Sequence, residues 1–189
     1  LTKIALEHLR NLKDDSPYSP YPRPTHGDAN KNSSLSPCLT VQDAFVSLKE
    51  PEASSDPAQK FYSKAKWYGK HCQGQSEVDL KGLGPTIRAE HHGNIEFRRL
   101  SKEHGGKYQE EFTLGLKERR LSVRECARIQ TFPDDFEFIR SASARGEEFA
   151  MSPSDGYRVI GNAVPPLLAF HVAWRLRELW PKLFKKGRR

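Results

Sequence analysis

RRLSVRECARIQTFPDDFEF (Arg119–Phe138), a spacer, and GYRVIGNAVPPLLAFHVAWRLRELW (Gly156–Trp180) decide how the rest of this chain is read. Ser122 followed three residues later by Glu125 is the spacing of a capping box, which predicts a helix starting at Val123. That helix should end near Gln130, because Pro133 cannot continue it and biases Phe132 away from helical angles. Gly161-Asn162 reads as a turn. Pro165-Pro166 suit the first turn of a new helix, and Leu167, Leu168, Val172, Leu176 and Leu179 follow at helical spacing, which predicts a long helix with an apolar face. A Gly-Asn turn feeding a helix N-terminus would leave backbone N–H groups open to a carboxylate or phosphate. Taken singly, each segment is an ordinary amphipathic helix.

Taken together they resemble the last two sequence motifs of the DNA (cytosine-5)-methyltransferases. The first matches R-x-L-[ST]-x-R-E-x-A-R-x-Q-[TG]-F-P, the second G-x-x-x-x-G-N-[AS]-V-P-P, in that order. The resemblance implies an α/β fold of which this chain is a fragment. A small irregular β-rich target-recognition lobe would be joined to C-terminal helices of a Rossmann-like, S-adenosylmethionine-dependent methyltransferase domain. The segments it implies are a connector over residues 1–60, a recognition lobe over 61–118, and helices completing the methyltransferase domain over 119–189.

Bulk properties are compatible with this. The chain has 189 residues, enough for one domain or two small ones, and a formal charge of +7. Residues 1–60 are close to neutral, so the basic surplus lies in the two later segments, where an anionic partner such as double-stranded DNA would sit. Three cysteines in no framework spacing point to a reducing compartment, which the resemblance would make the bacterial cytoplasm with its nucleoid. No apolar run reaches the length of a membrane span. The sole methionine is Met151, and the chain reads as cut from something larger.

Ile4, Leu6, Leu9 and Leu12 predict a short amphipathic helix, and residues 14–37, rich in Pro, Ser, Asn and Asp, an exposed loop. Thr40 and Asp43 make a second capping-box pair, predicting a helix within Thr40–Leu48. PRPTHG (Pro22–Gly27) and the Leu39–Leu48 stretch resemble the family's connector. From Phe61 to Lys117 aromatic and basic residues alternate between frequent glycines, which fits short strands and loops. The basic tail after Trp180 is a solvated segment that can touch phosphates.

The resemblance also carries roles. Gly161, Asn162 and Ala163 match the turn that closes one wall of the S-adenosylmethionine pocket; the ligand's zwitterionic end suits an Asn, which both donates and accepts. A turn or C-cap Asn is the alternative. GKHCQGQ (Gly69–Gln75) and PTIRAEHHGNIEF (Pro85–Phe97) resemble the two recognition loops, the alternative being a polar hairpin surface. Thr86-Ile87 matches the pair set beside the flipped cytosine. Gln73-Gly74 lies where some members place a Gln in the space that the base leaves. Arg88, Glu90, His91 and His92 are types able to read base edges, and the Arg-x-Glu-His-His run suggests a G/C-rich site with a central CG. Arg120 and Arg124 stand between phosphate contact and scaffold; Glu125 and Arg128 read as scaffold.

Two other readings fail on the residues. Cys72 with His71, His91 and His92 lacks a zinc spacing, so no metal is expected. Pro37-Cys38 imitates the family's nucleophile, but Leu39 stands where its Gln belongs and no Glu-Asn-Val follows. Cys38 reads instead as a small buried residue at a helix start. With neither that loop nor a Phe-x-Gly-x-Gly segment, this sequence implies the C-terminal part of a restriction-modification methyltransferase, inactive without an N-terminal catalytic half. That half would be covalent or a separate subunit. A non-catalytic basic DNA-binding module and a structural remnant are the rivals.

Overall fold

Four side-chain caps, Thr40, Asp56, Ser122 and Ser152, start helices at the positions where polar residues precede a helical run. In the computed structural model, which describes residues 21–27, 34–89, 94–141 and 149–183, the chain divides into two units. One holds residues 1–37 and 166–189, the other residues 38–165. The expected helix over residues 1–13, the tail beyond Leu183, and Glu90, His91 and His92 lie outside the described residues.

In the first unit β1 (His26–Gly27) pairs in parallel with β2 (Ser36–Pro37). The second unit begins with α1 (Val41–Ala44), a single turn capped reciprocally by Thr40 and Asp43, shorter than the Thr40–Leu48 run allowed. Cys38, expected inside, is exposed. A 3-10 turn (Pro51–Ala53) and α2 (Pro57–Lys60) follow, the latter capped by Asp56, whose carboxylate accepts from the Ala58 N–H. Residues 61–118 are mostly loop, as the glycine punctuation implies. Their regular parts are β3 (Phe97–Arg99), a 3-10 turn (Lys102–His104) and α3 (Glu110–Thr113). β3 pairs antiparallel with β4 (Arg119–Arg120), and a bridge at Glu77↔Phe97 ties the residues just after the Gly69–Gln75 segment to the same ladder.

At the centre is α4 (Val123–Ile129). Ser122 caps it through the Glu125 N–H at 3.0 Å while Glu125 accepts from the Ser122 N–H at 2.8 Å, and Gln130 closes it, as the spacing predicts. Every residue from Val123 to Ala127 is buried, so the two charged ones among them, Arg124 and Glu125, are paired inside the protein, with Asp56 and Arg119 respectively. α4 packs on α1, α2 and the later α5; Val41, Ala58, Ile95, Leu121, Cys126, Phe138, Tyr157 and Ile160 form the surrounding core. β5 (Arg140–Ser141) and β6 (Phe149–Met151) then pair antiparallel.

The second motif differs from its expected form. Gly161-Asn162 is not a free turn before a helix; both residues finish α5 (Pro153–Asn162), whose N-terminus carries a third capping box of Ser152 with Asp155. Ala163 is the C-cap in an extended conformation. What Gly161-Asn162 offers is therefore a helix C-terminus, where carbonyls rather than N–H groups are open. α6 (Pro166–Leu183), in the first unit, runs over the predicted range. Only Arg175 and Leu179 along it are buried, while Phe170, Trp174 and Trp180 stay 57%, 50% and 60% exposed. The fold is thus mixed α/β, built of small two-stranded sheets and short helices. No helix among the described residues is long and apolar enough to cross a membrane.

Candidate nucleic-acid and cofactor interface

The two segments that resemble recognition loops close on one cleft. A cavity of about 400 Å³ lies between Gln73 and Gly74 of the first segment, Arg88 and Glu96 of the second, and Lys70 and Lys107. Gln73 is exposed, leaving its side-chain amide at the surface. Gly74 is buried, with φ of +66°, and a Cβ there would lie 2.2 Å from the Asn94 carbonyl oxygen. Only glycine satisfies both demands, so Gly74 is where the backbone of the first segment comes against that of the second. Arg88 donates from Nη1 to Glu96 at 2.6 Å, and its side chain is 31% exposed. Glu96 thus fixes one edge of the guanidinium. Thr86 is exposed whereas Ile87 is anchored in the core at 4% exposure, so successive residues of this segment face solvent and interior in turn.

Arg120 and Arg124 are fully engaged inside. Arg120 donates to the carbonyls of Ala65, Gly74, Ile95 and Lys66, and its guanidinium lies 4.1 Å over the Phe97 ring. Burial lowers its pKa, a cost those carbonyls offset. Arg124 binds Asp56 at 2.6 Å and the carbonyls of Pro133 and Phe136. Of the two readings open for these residues, the geometry gives scaffold: Arg120 holds both recognition segments from beneath. Arg128 likewise pairs with Asp134 at 2.6 Å and bonds the Ala44 and Val46 carbonyls, tying α1 to α4.

A buried ion network supports this platform. Arg119 is gripped by Glu125 and Glu50, while Arg99 bridges Glu50 and Glu111. Burial would push the Glu50 carboxyl up, but Arg119 and Arg99 outweigh it and hold it below the usual carboxylate range; Glu111 is lowered in the same way by Arg99 and Arg98. Burial raises the Cys126 thiol and the Tyr157 phenol well above their ordinary values, leaving both neutral. Tyr157 donates to the Leu121 carbonyl at 2.6 Å and accepts from the Ser63 N–H at 3.1 Å, so α5 is pinned to the head of α4.

Asn162 is exposed, and among the described residues no hydrogen bond takes its amide. It does not adopt positive φ, and the cap residue is Ala163, so the usual left-handed C-cap role of Asn is not what it performs. A zwitterionic amino-acid end fits these residues: the carbonyl end of α5 favours an ammonium, and the Asn162 amide can donate to a carboxylate. Among the described residues no group of three metal-ligating side chains gathers.

Comparison with known proteins meets this geometry from outside. The family model for C-5 cytosine-specific DNA methylases matches residues 10–178. The chain belongs to that family. It is 32% identical to Type II methyltransferase M.BsuRI of Bacillus subtilis over 178 residues, covering 90% of this chain and 37% of that protein. It is 50% identical to Type II methyltransferase M.FnuDI of Fusobacterium nucleatum over 60 residues, 32% of this chain and 14% of that protein. DNA (cytosine-5)-methyltransferase 3 of Arabidopsis thaliana is 42% identical over 62 residues, 33% of this chain and 4% of that protein. The chain therefore spans well under half the length of the C-5 methylases that it matches.

Two features of this C-5 methylase chain escape sequence reading. Glu96 lies eight positions beyond Arg88, too far for any local pattern to pair them. The burial of Arg120 is equally hidden, because its partners come from 25 to 55 positions away. A trace of α5 was present, in Ser152, Pro153 and Asp155, which carry the same start signal as α4.

Proposed function

We propose that this chain is the target-recognition and cofactor-closing part of a sequence-specific DNA (cytosine-5)-methyltransferase of the restriction-modification type. Its Gln73–Arg88 cleft would read a short duplex site, and its α5 terminus would close one wall of the S-adenosylmethionine pocket. The observation that carries this reading is the convergence of both recognition segments on one cleft with basic residues at its edge. That arrangement suits a nucleic-acid groove, and family membership supplies the chemistry. S-adenosylmethionine, when bound, supplies the methyl group that C5 of cytosine receives. Because C5 is out of reach inside a duplex, the target base must be flipped out.

Within this division of labour Gln73 and Arg88 face the DNA, Lys70 and Lys107 neutralise phosphates, and Asn162 holds the amino-acid end of the cofactor. Arg120 and Arg124 act beneath, as scaffold. The nucleophile would come from an N-terminal portion of the same enzyme, covalent or separate. The exposed apolar face of α6, with Phe170, Trp174 and Trp180, supports that partner, since such a face needs cover. A binding module without catalysis is less favoured, because it gives Asn162 nothing to do.

The test is reconstitution. The purified chain with labelled S-adenosylmethionine and duplex DNA should give background incorporation. Addition of an N-terminal portion of the same enzyme, expressed separately, should restore 5-methylcytosine. Methylation by the chain alone would overturn the division and return Cys38 to consideration. No methylation by the reassembled protein, with both parts folded, would overturn the enzyme reading.

A further inference from the structure

The C-terminal turn of α5 touches the recognition segment directly. A Cβ built at Gly161 would lie 2.3 Å from the Ala89 nitrogen, 2.3 Å from the Arg88 carbonyl carbon and 2.5 Å from its oxygen. All three are backbone atoms, so no change of rotamer relieves the clash. Gly161 is helical and not among the glycines of positive φ, so backbone freedom is not why glycine stands there. Close approach is. The peptide between Arg88 and Ala89 follows Thr86-Ile87, and Gly161 is the neighbour of Asn162. Ile87 and Ile160, one residue before each side of the contact, are both locked into the same core at 4% and 0% exposure. Neither backbone can slide past the other without opening that core.

We propose that Gly161 is a positioning residue that couples cofactor occupancy at Asn162 to the placement of the DNA-reading Arg88. The inference rests on the function proposed above. The last turn of α5 and the Arg88–Ala89 peptide move as one body, so occupancy of one side biases the geometry of the other. Such coupling is reciprocal: duplex DNA must tighten cofactor binding by the factor by which cofactor tightens DNA binding. Gly161 is the point at which a methyl group separates the two surfaces.

The experiment uses the complete enzyme, and S-adenosylhomocysteine as probe, titrated with and without a cognate duplex. Wild type should bind the probe roughly fivefold or more tightly with the duplex present. Gly161→Ala should bring that ratio close to one while each ligand alone still binds. Gly156→Ala serves as control. It crowds Val123 Cγ1 at 2.9 Å and the Phe138 carbonyl oxygen at 3.2 Å on the same helix, away from the recognition segment. It should cost stability and keep the wild-type ratio. A Gly161→Ala ratio equal to wild type overturns the coupling. Should that variant fail to fold, hydrogen exchange on wild type decides: the Ala89 amide must slow when the probe binds without DNA, and unchanged exchange overturns the proposal. A wild type that binds neither probe nor duplex overturns the function itself. Binding of both with a ratio insensitive to Gly161 overturns the coupling alone.

Discussion

Arg119 and Glu125 form a closed two-bond pair, with Nη1 donating to Oε2 and Nη2 to Oε1, both at 2.8 Å, and with side chains 4% and 2% exposed. Glu125 also caps α4, so one carboxylate serves both the helix start and the ion network. Burial works against the Arg119 charge, but Glu125 and Glu50 outweigh it and raise its pKa. Arg119 precedes Arg120 on β4, so the pair anchors the strand from which Arg120 reaches the Gly74 and Ile95 carbonyls beside the cleft.

Glu125→Ala should therefore be among the most damaging single changes in the second unit. It leaves the Arg119 charge short of a partner and removes half of the capping box, at a cost of about 3–5 kcal/mol. Urea unfolding followed by circular dichroism measures it. A loss under about 1 kcal/mol would mean that the pair is replaceable by water.

Glu50 and Glu111 set an acid limit. Both carboxyls have folded pKa values below their unfolded ones. Their contribution is thus present above the ordinary carboxylate pKa of about 4.3 and is lost as pH falls through the lowered folded value. The unfolding midpoint should drop steeply across that window, and Glu50→Gln should flatten the drop while lowering stability at neutral pH. An unchanged slope in the Gln variant would assign the acid sensitivity to other carboxylates.

How much of this was legible follows from where each partner lies. α4 and α6 were readable because their start and stop signals sit within a few residues of each other: Ser122 with Glu125, Pro133, and the Pro165-Pro166 pair. α5 was hidden by its glycines, since Gly156 and Gly161 suggest turns; they are there to let α5 approach Phe138 and the Arg88–Ala89 peptide. Arg120 and Arg124 stayed open between phosphate contact and scaffold because nothing local shows that Gly74, Ile95 and Asp56 converge on them. The candidate recognition residues could be named from resemblance, but not that Glu96 would hold Arg88.

Asn162→Ala in the complete enzyme should weaken S-adenosylmethionine binding by about 1.5–3 kcal/mol, the worth of a hydrogen bond to a charged group. DNA binding without cofactor should change little. Because Asn162 is exposed and takes no cap role, the fold should be unaffected, which thermal unfolding checks. Equal affinity for the cofactor in a calorimetric titration would return Asn162 to the role of a mere helix-end residue.

The sharpest test concerns Arg88. Glu96 engages its Nη1, so the guanidinium is oriented before DNA arrives, and the side chain stays accessible along the cleft. A bidentate arginine–guanine contact discriminates by about 1–3 kcal/mol, so Arg88→Ala should lower methylation of the true site by that amount and leave non-specific binding nearly unchanged. Glu96→Gln should produce a smaller loss of the same kind, because it frees the guanidinium without removing it. Lys107→Ala behaves differently: a phosphate contact weakens every duplex alike and reduces the slope of affinity against salt by about one. Binding titrations at three salt concentrations, on cognate and scrambled duplexes, separate the two patterns. If Arg88→Ala depresses both duplexes equally, Arg88 is itself a phosphate contact, and the reading of sequence moves to Gln73 on the facing segment.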